Sequence, residues 1–500
     1  MKTPKITDGP NGPVLMADNR PFLILGGEVH NSSGSSVEYM EKTVFPSCAA
    51  LGINTALVPV SWELTEPEEG RFDFSVVEGL IVKAREAGLK LVLLWFGLWK
   101  NGFSSYTPEW MKNDPAAYFR IQDRGGKTIG AVSPFCEKAV EKDARAFGRL
   151  MQEIKRLDSE ENTVLMIQVE NEIGVLGGDR DYGSAAEALF HGPMPAEAGE
   201  IYGAAGAWDA LGADAAEIFM SYHYAKAIEK IAAAGKRAYN LPMYVNAWLE
   251  QFPERAGAYP SGGPVAKNMA LWKRAAKSVD FLSPDIYVED FEAVCREYSQ
   301  DGNVLFIPEA RCSADSASNI FAAFGQYDAI GFSPFAVEDL YLSHAAADAP
   351  LIPLIPEARG AFPYVRASYE AIANIGELIL EHRRTGNMKG FTRHHAPGKI
   401  LSFDTCDVKI TYRDAGLGGP KGGGLVIALP DGAFLLTGVN YEAEFLPKSG
   451  PGPRIDLLRA EEGKFANGEW ERALRLNGDE YGVRFGDMAK IMLCKVYFYE

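Results

Sequence analysis

Short apolar runs alternate with amphipathic stretches through residues 1–385 of the chain. Each run has the length of a strand, and the stretch after it has helical periodicity, which is the order of β/α units. Near-continuous hydrophobicity is typical of strands buried on both faces of a parallel sheet. The eight predicted strands are Phe22–Glu28, Asn54–Pro59, Leu91–Phe96, Val164–Glu170, Met243–Asn246, Phe281–Asp285, Leu305–Pro308 and Ala329–Phe332.

Eight such units predict a closed (β/α)8 or TIM barrel, and a doubly wound open sheet is the alternative. Among the helices, the clearest start is at Ser75, which with Glu78 forms an S-x-x-E capping box. We expect Pro363–Thr385 to be the last barrel helix, ended by Gly386.

The pattern changes after residue 386, where short strands are separated by turn signals such as Asn467-Gly468 and Asn477-Gly478. This pattern predicts an all-β sandwich. We therefore expect two domains, a barrel over residues 1–386 and a β-sandwich over residues 387–500. The strands predicted in the second domain are Val408–Tyr412, Leu425–Leu429, Phe434–Thr437, Tyr441–Phe445, Tyr481–Phe485 and Met492–Tyr499.

A net charge of −17 with 47% hydrophobic residues is typical of a soluble globular protein. That charge would repel nucleic acid and an anionic membrane, so neither is expected as a partner. The first residues lack the apolar segment of a signal peptide, and no run is long enough to span a membrane. A soluble protein is expected, with the cytoplasm and the periplasm both left open.

The six cysteines are scattered and form no CxxC or Cys/His cluster, so neither structural zinc nor a disulfide framework is expected. Gly422–Gly424 lacks the strand, lysine and helix of a phosphate-binding loop. The sequence therefore predicts no metal and no cofactor.

Catalytic residues of a (β/α)8 barrel lie where its strands end, and here these positions are rich in carboxylates, aromatic rings and amides. Such a mixture suits a sugar, whose C–H faces stack on rings and whose hydroxyls bond amides and acids. The alternative is that the rings only fill the top of the barrel. In strand order the residues are Glu28 and His30; Trp62 and Glu63; Trp95, Trp99 and Asn101; Glu170, Asn171 and Glu172; Asn246 and Trp248; Asp285 and Tyr287; Glu309 and Arg311; and Phe335.

Two of these carboxylates, Glu172 and Glu309, follow strands four and seven, which lie roughly across the mouth of a barrel. Their side chains can converge over one cavity. Retaining glycosidases need two carboxyl groups about 5–5.5 Å apart. We assign substrate binding to a second group of strand-end residues: His30, Trp62, Glu63, Trp95, Trp99, Asn171, Asn246, Trp248, Tyr287, Arg311 and Phe335.

The segment Met166–Gly174 (MIQVENEIG) closely resembles the strand-four signature of family 35 β-galactosidases, which share a clan of barrel glycosidases with family 42. The segment Val58–Phe74 and the first-strand GGEVH are similar to the same enzymes, so the resemblance spans roughly residues 20–345. It implies that Glu172 is the acid/base and that Asn171 bonds the sugar 2-hydroxyl. Departures from the family pattern occur at His30-Asn31, at Ile173 and around Glu309, and they affect the expected sugar specificity most.

The nucleophile must be chosen between two copies of Ile-Pro-Glu-Ala-Arg, which contain Glu309 and Glu357. Glu309 follows an apolar run and precedes another helix and strand, as strand seven requires. Glu357 follows three prolines, which cannot sustain a central strand. We therefore predict Glu309 as the nucleophile, with Arg311 and a hydrogen bond from Tyr287 stabilising its charge. Burial near that charge is expected to raise the pKa of Glu172.

Together these features predict a retaining exo-β-galactosidase that needs no cofactor and has a carbohydrate as its partner. Another retaining β-glycosidase of the clan, acting on β-glucosides, β-mannosides or internal β-glycan bonds, is the first alternative. A non-catalytic carbohydrate-binding barrel is the second. Formation of a homo-oligomer is left open.

Overall fold

The computed structural model describes residues 3–251, 253–345, 350–448 and 453–500. Eight parallel strands close into a barrel, which confirms the predicted (β/α)8 fold and excludes the open sheet. Strand four is buried along its whole length, as its apolar sequence requires. The barrel strands are Ile24–Glu28, Thr55–Ser61, Lys90–Lys100, Val164–Asn171, Met243–Trp248, Phe281–Ile286, Phe306–Ala310 and Gly331–Pro334.

Helices surround the barrel, and the two longest of them pack against each other. No helix in the described part of the chain is long and apolar enough to cross a bilayer. The α-helices are Val37–Tyr39, Phe45–Leu51, Trp62–Thr65, Ser75–Glu86, Glu109–Lys112, Glu137–Asp158, Ser184–Phe190, Ala196–Tyr202, Ala215–Ala238, Met269–Ala275, Phe291–Tyr298, Ser316–Gln326, Glu338–His344, Phe362–Asn374 and Gly376–His382.

A small antiparallel sheet precedes the barrel, and the sequence patterns did not reveal it. Its strands are Lys5–Gly9, Gly12–Ala17 and Arg20–Phe22. Leu15 is fully buried in one apolar cluster with barrel residues such as Ile24 and Leu57. The sheet therefore extends the core beneath the barrel, at the end opposite the strand termini that carry the candidate site.

Two antiparallel sheets follow the barrel, as predicted, and their facing side chains form a separate apolar core that includes Phe391, Val408 and Phe434. All six predicted strands are present. Four further strands were missed: Met388–Thr392, Gly398–Ser402, Arg454–Ala466 and Glu469–Arg475. In sheet order, the sheets consist of Met388–Thr392, Gly423–Leu429, Ala433–Val439, Lys490–Tyr499, Arg454–Ala466 and Glu469–Arg475, and of Gly398–Ser402, Asp407–Tyr412, Tyr441–Leu446 and Val483–Phe485.

The larger sheet packs on the barrel helix Ser316–Gln326, and two glycines make this close approach possible. A Cβ atom at Gly390 would lie 2.4 Å from the Phe321 carbonyl oxygen, and one at Gly325 would lie 2.6 Å from Leu425. Larger residues at either position would push the sheet away from the helix. The domain boundary at residues 386/387 stays a prediction.

Two local predictions were wrong. Ser75 is the first residue of its helix and does not cap it; instead, Asp73 Oδ1 accepts the Ser75 N–H at 2.9 Å. The last predicted helix is broken into Phe362–Asn374 and Gly376–His382. At the break, the Asn374 side chain pairs with the backbone N–H and carbonyl of Phe465 in the sandwich, both at 2.8 Å.

Candidate active site

A cavity of about 490 Å³ opens where the barrel strands end, within the volume range typical of small-molecule sites. Seven of the eight strands or their following loops contribute to its wall, so it lies at the centre of the barrel mouth. Its lining residues are Asn31, Lys100, Asn101, Glu172, Trp248, Leu249, Gln251, Glu254, Ala258, Asp285, Tyr287, Val288, Glu309 and Phe335.

Both predicted catalytic glutamates reach this cavity. Glu172 follows strand four directly, and Glu309 lies in strand seven next to Asp285, its register partner on strand six. One carboxylate oxygen from each of the three residues lies within 4.8 Å of the corresponding oxygens of the other two. Glu172 is 6% exposed and Glu309 5%, so both face the cavity from a largely buried position.

The backbone at the end of strand four is held in an uncommon conformation. Glu172 has φ +45° and Glu170 has φ +62°, values that residues with a Cβ atom rarely adopt. The Glu172 N–H donates to Asn246 Oδ1 at 3.0 Å, which anchors this turn to strand five. Strained backbone of this kind is frequent where a catalytic side chain must be aimed.

Two donors hold Glu309, one from strand five and one from the segment after strand six. The Tyr287 hydroxyl donates to its Oε2 atom at 2.7 Å, as predicted, and Asn246 Nδ2 approaches its Oε1 atom at 3.4 Å. The same amide nitrogen donates to Asp285 Oδ2 at 2.8 Å. Asn246 thus links the backbone of Glu172 with the carboxylates of Asp285 and Glu309.

The electrostatics of the cavity favour protonated carboxyl groups. Burial and the charge of Glu309 raise the pKa of Glu172 to about 8, against the opposing effects of Lys100 and of a hydrogen bond with Asp285. Burial, followed by the same neighbouring charge, also raises the pKa of Asp285 and of Glu28 well above the ordinary values. Glu172 can therefore hold a proton at neutral pH.

Glu172, Asp285 and Glu309 are also the one group of potential metal ligands in the described residues. Carboxylate oxygens suit a hard cation. However, the raised pKa values of Glu172 and Asp285 mean that protons compete for the same oxygens near neutral pH.

Several predicted binding residues surround the two glutamates. Trp248, Tyr287 and Phe335 line the cavity. Asn246 and Asn171 are fully buried behind it, and their side-chain amides approach each other to 3.2 Å. The structure therefore brings five of the eleven predicted binding residues to the cavity or directly behind it.

His30 and Arg311 lie close by without lining the cavity. His30 Nε2 is 3.0 Å from Asp339 Oδ1, and its ring packs edge-on against Phe335 at 5.8 Å. Arg311 is exposed, and its guanidinium donates to the Tyr287 carbonyl oxygen instead of pairing with Glu309. The expected stabilisation of the Glu309 carboxylate by Arg311 is therefore not supported by a contact between the two side chains.

Trp62, Trp95 and Trp99 are fully buried in the barrel wall, away from the cavity. Their indole N–H groups donate within the protein, to Glu66 Oε2 at 2.9 Å, Asp143 Oδ1 at 2.7 Å and the Val132 carbonyl at 2.9 Å. Glu63 is turned away as well, and it pairs with Lys112 at 3.0 Å. The positions of these three rings agree with the alternative that they pack inside the barrel and do not bind a ligand.

Lys100 was missed by the sequence reasoning. It ends strand three, is 8% exposed, and is the one cationic side chain on the described cavity wall. Asp285 was noted at the end of strand six but given no role. For Asp285, its place at the end of strand six, two residues before Tyr287, was the available signal, because side chains two apart in an extended segment share a face.

We expect Trp62→Phe to act on stability rather than on binding. The substitution removes the donor to the buried Glu66 carboxylate, which should lower the free energy of unfolding by about 1–3 kcal/mol. Urea unfolding measures this loss, and KM for an aryl glycoside substrate should stay within twofold. An unchanged unfolding midpoint with a raised KM would place Trp62 in the binding site instead.

Residues 14–201 match the model of glycosyl hydrolases family 35. This match confirms the resemblance predicted from strands one, two and four, and it includes Glu172. Glu309 lies outside the matched residues, so its assignment depends on the cavity geometry. Residues 365–486 match a domain of unknown function, DUF5597.

The related proteins include a β-galactosidase of Xanthomonas manihotis, which is 25% identical over 191 residues. The match covers 37% of this chain and 29% of that protein. Human β-galactosidase-1-like protein 3 is 29% identical over 183 residues, which are 35% of this chain and 25% of the human protein. The matched stretch thus spans less than a third of either relative's length.

Solved structures show the same fold at low sequence identity. The β-galactosidase of Bacillus circulans sp. alkalophilus has a TM-score of 0.51 at 15% identity, covering 72% of this chain and 57% of the other. That of the psychrophilic Marinomonas ef1 has a TM-score of 0.50 at 14% identity, covering 73% and 62%. These likenesses establish the barrel architecture.

Proposed function

We propose that this protein is a retaining exo-β-galactosidase, with Glu172 as the acid/base and Glu309 as the nucleophile. The observation that carries the proposal is that one carboxylate oxygen of Glu172 lies within 4.8 Å of one of Glu309 across a single cavity. Inverting glycosidases hold the two carboxyl groups about 6.5–9.5 Å apart, to leave room for a water molecule, whereas retaining enzymes hold them closer.

In the first step, Glu309 attacks the anomeric carbon while Glu172 gives its proton to the leaving oxygen. The bond between the anomeric carbon and that oxygen breaks, and a galactosyl ester of Glu309 forms. In the second step, Glu172 takes a proton from water, whose oxygen attacks the same carbon and releases Glu309. Two inversions at one carbon return the β configuration.

The side chains around the glutamates fit these roles. The Tyr287 hydroxyl, 2.7 Å from Glu309 Oε2, orients the attacking carboxylate. Trp248 and Phe335 offer aromatic surface to the C–H face of a sugar ring on the cavity wall. A cavity whose floor is the packed barrel core fits a terminal sugar, which supports exo action.

The choice of galactose rests on the related proteins, several of which are named β-galactosidases. A panel of 4-nitrophenyl β-glycosides tests this choice and the first alternative together. The β-galactoside should be hydrolysed with the highest kcat/KM, and proton NMR should show β-galactose as the first product. Preference for the glucoside or mannoside would favour another clan β-glycosidase, and α-galactose as first product would exclude retention.

The pH profile should report the acid form of Glu172. Its pKa is raised to about 8, so the proton that the first step needs is present below that pH and lost above it. We expect kcat/KM to fall as pH rises through about 8, because this ratio follows ionisation of the free enzyme. A profile that is flat from pH 7 to 10 would contradict the assignment.

A further inference from the structure

The C-terminal sandwich contacts the barrel near two of the segments that carry the candidate site. Strand Met388–Thr392 and the segment after it lie against the start of helix Phe291–Tyr298, which follows strand six. The loop before strand Gly423–Leu429 contacts the segment after strand seven. No described residue of the sandwich lines the catalytic cavity, so an effect of the sandwich on catalysis must pass through these barrel segments.

Glu292, in the first turn of helix Phe291–Tyr298, makes three of the bonds at this contact. Its Oε1 atom accepts the backbone N–H of Thr392 at 3.0 Å, and its Oε2 atom accepts a hydrogen bond from Lys399 Nζ at 3.2 Å. The hydroxyl of Tyr327, on the barrel, donates to the same Oε2 atom at 3.1 Å. The Glu292 side chain is only 15% exposed. Hydrogen bonds to a charged group contribute more to stability than those between neutral groups, so Glu292 is a main contact between sandwich and barrel.

Two further contacts hold the adjoining barrel segments. Asp290, which caps the helix by accepting the Ala293 N–H at 3.0 Å, lies 3.6 Å from Nδ1 of His394 in the sandwich. After strand seven, Asp315 Oδ1 accepts the backbone N–H of Lys421 at 3.1 Å. The sandwich therefore contacts both the segment that carries Tyr287 and the one that follows the nucleophile strand.

Tyr287 lies in the same segment as Glu292, five positions before it, and its hydroxyl donates to Glu309 Oε2 at 2.7 Å. Phe291, between them, is 2% exposed and packs edge-on against Phe332 of strand eight, with ring centroids 6.1 Å apart. The connection between the helix start and Tyr287 is therefore short and packed against the barrel. A shift of the helix start would move the Tyr287 hydroxyl relative to the carboxylate that it holds.

We propose that Glu292 is a positioning residue, through which the sandwich fixes Tyr287 against Glu309. The inference rests on the proposed function, because it takes Glu309 as the attacking group. It gives a role in catalysis to a domain of unknown function, whose match covers residues 365–486, without any contact between that domain and the sugar. When the Glu292 contacts are lost, the helix start is no longer held, and the Tyr287 hydroxyl loses its fixed distance from the carboxylate.

A double-mutant cycle separates this role from a purely structural one. Glu292→Ala removes the contacts with the sandwich, Tyr287→Phe removes the hydroxyl that donates to Glu309, and a third variant carries both changes. Glu292→Gln keeps the volume of the side chain but loses its charge, and it replaces Glu292→Ala in the cycle if the alanine variant does not fold. Each variant is assayed for kcat and KM on the best wild-type substrate among the 4-nitrophenyl β-glycosides, and its unfolding in urea is measured.

Asn374→Ala is the matched control, because it removes the same kind of contact at another place on the interface. The Asn374 side chain also pairs with sandwich backbone, through two hydrogen bonds of 2.8 Å to Phe465. It lies at the end of helix Phe362–Asn374, which carries none of the predicted site residues. The control therefore loses interface stability without disturbing the segment of Tyr287.

We expect Glu292→Ala to lower kcat about tenfold with KM within twofold, since small misplacements of a reacting group cost rate. The double variant should be no slower than Tyr287→Phe alone, because both changes remove the same interaction. Asn374→Ala should unfold at lower urea concentration than wild type and keep wild-type kcat within twofold.

Three results would overturn the inference: wild-type kcat in either single variant, losses that multiply in the double variant, or an equal loss of kcat in Asn374→Ala. The first would show that one of the two residues has no effect on the chemical step, and the others that Glu292 acts on stability in general. A wild type inactive on all of these glycosides would instead overturn the proposed function, and with it the premise of this inference.

Discussion

Glu309→Gln is expected to lower kcat for 4-nitrophenyl β-galactoside roughly ten-thousandfold or more while leaving galactose affinity nearly unchanged. Glutamine keeps the shape of the side chain and can still accept the Tyr287 hydrogen bond, which is 2.7 Å long in the native enzyme. It cannot form the ester intermediate, so the chemical step is lost while the binding surface remains. Initial rates and calorimetric titration with galactose measure the two effects separately.

The chain contains its own control for this experiment, because the sequence Ile-Pro-Glu-Ala-Arg occurs twice. Glu357, in the second copy, lies exposed in a short 3-10 turn, Pro356–Ala358, and does not line the cavity. Glu357→Gln should retain wild-type kcat within twofold. If Glu357→Gln lost activity and Glu309→Gln kept it, the choice between the two copies would be reversed.

Glu172→Gln should show the second largest loss, and the loss should depend on the leaving group. For a disaccharide, whose departing alkoxide needs a proton, kcat/KM should fall about 10²–10⁴-fold. For 2,4-dinitrophenyl β-galactoside the first step should be nearly unaffected, because dinitrophenolate leaves without protonation. Pre-steady-state release of dinitrophenol should then show a burst, as the galactosyl ester is hydrolysed slowly without a general base.

The pH profile separates this role from a purely structural one. In Glu172→Gln the decline of kcat/KM above about pH 8 should disappear, because the group with the raised pKa is gone. Far-ultraviolet circular dichroism should match that of wild type. Equal losses with both leaving groups, or a retained alkaline decline, would show that Glu172 is not the proton donor.

The barrel could be predicted from the sequence because strands buried on both faces must be apolar throughout. Val164–Asn171 is such a strand, and it was predicted to within one residue. The hairpin Arg454–Ala466 and Glu469–Arg475 was missed for the opposite reason. Apart from Ala460 and Glu461, its residues are half-buried or exposed, and many are Glu or Arg, so no continuous apolar run indicates these strands.

The candidate site was predictable to the extent that barrel topology fixes it. Topology places the residues at strand ends in one region, and this brought Glu172, Tyr287 and Glu309 together. It does not tell whether a side chain at a strand end points into the mouth or back into the wall. Trp95 and Trp99 were misjudged because long strand three carries both within the packed wall before it ends at Lys100.

Lys100 is a cavity residue that the sequence could not indicate, for a different reason. A lysine after an apolar run is most often at the surface, so sequence alone gives no reason to place it among buried acids. In the structure it lies in a cavity lined by Glu172, Asp285 and Glu309, and its charge opposes the upward pKa shift of Glu172. Only the three-dimensional arrangement reveals this compensation.

The claim that an attacking carboxylate at position 309 and a donor at 172 serve one bound sugar is tested most directly by trapping the ester. The enzyme is incubated with 2,4-dinitrophenyl 2-deoxy-2-fluoro-β-galactoside and digested, and the peptides are analysed by mass spectrometry. One fluorogalactosyl group per chain is expected, attached to Glu309. A label on any other residue, Glu357 included, or dinitrophenol release with no label at all, would contradict it.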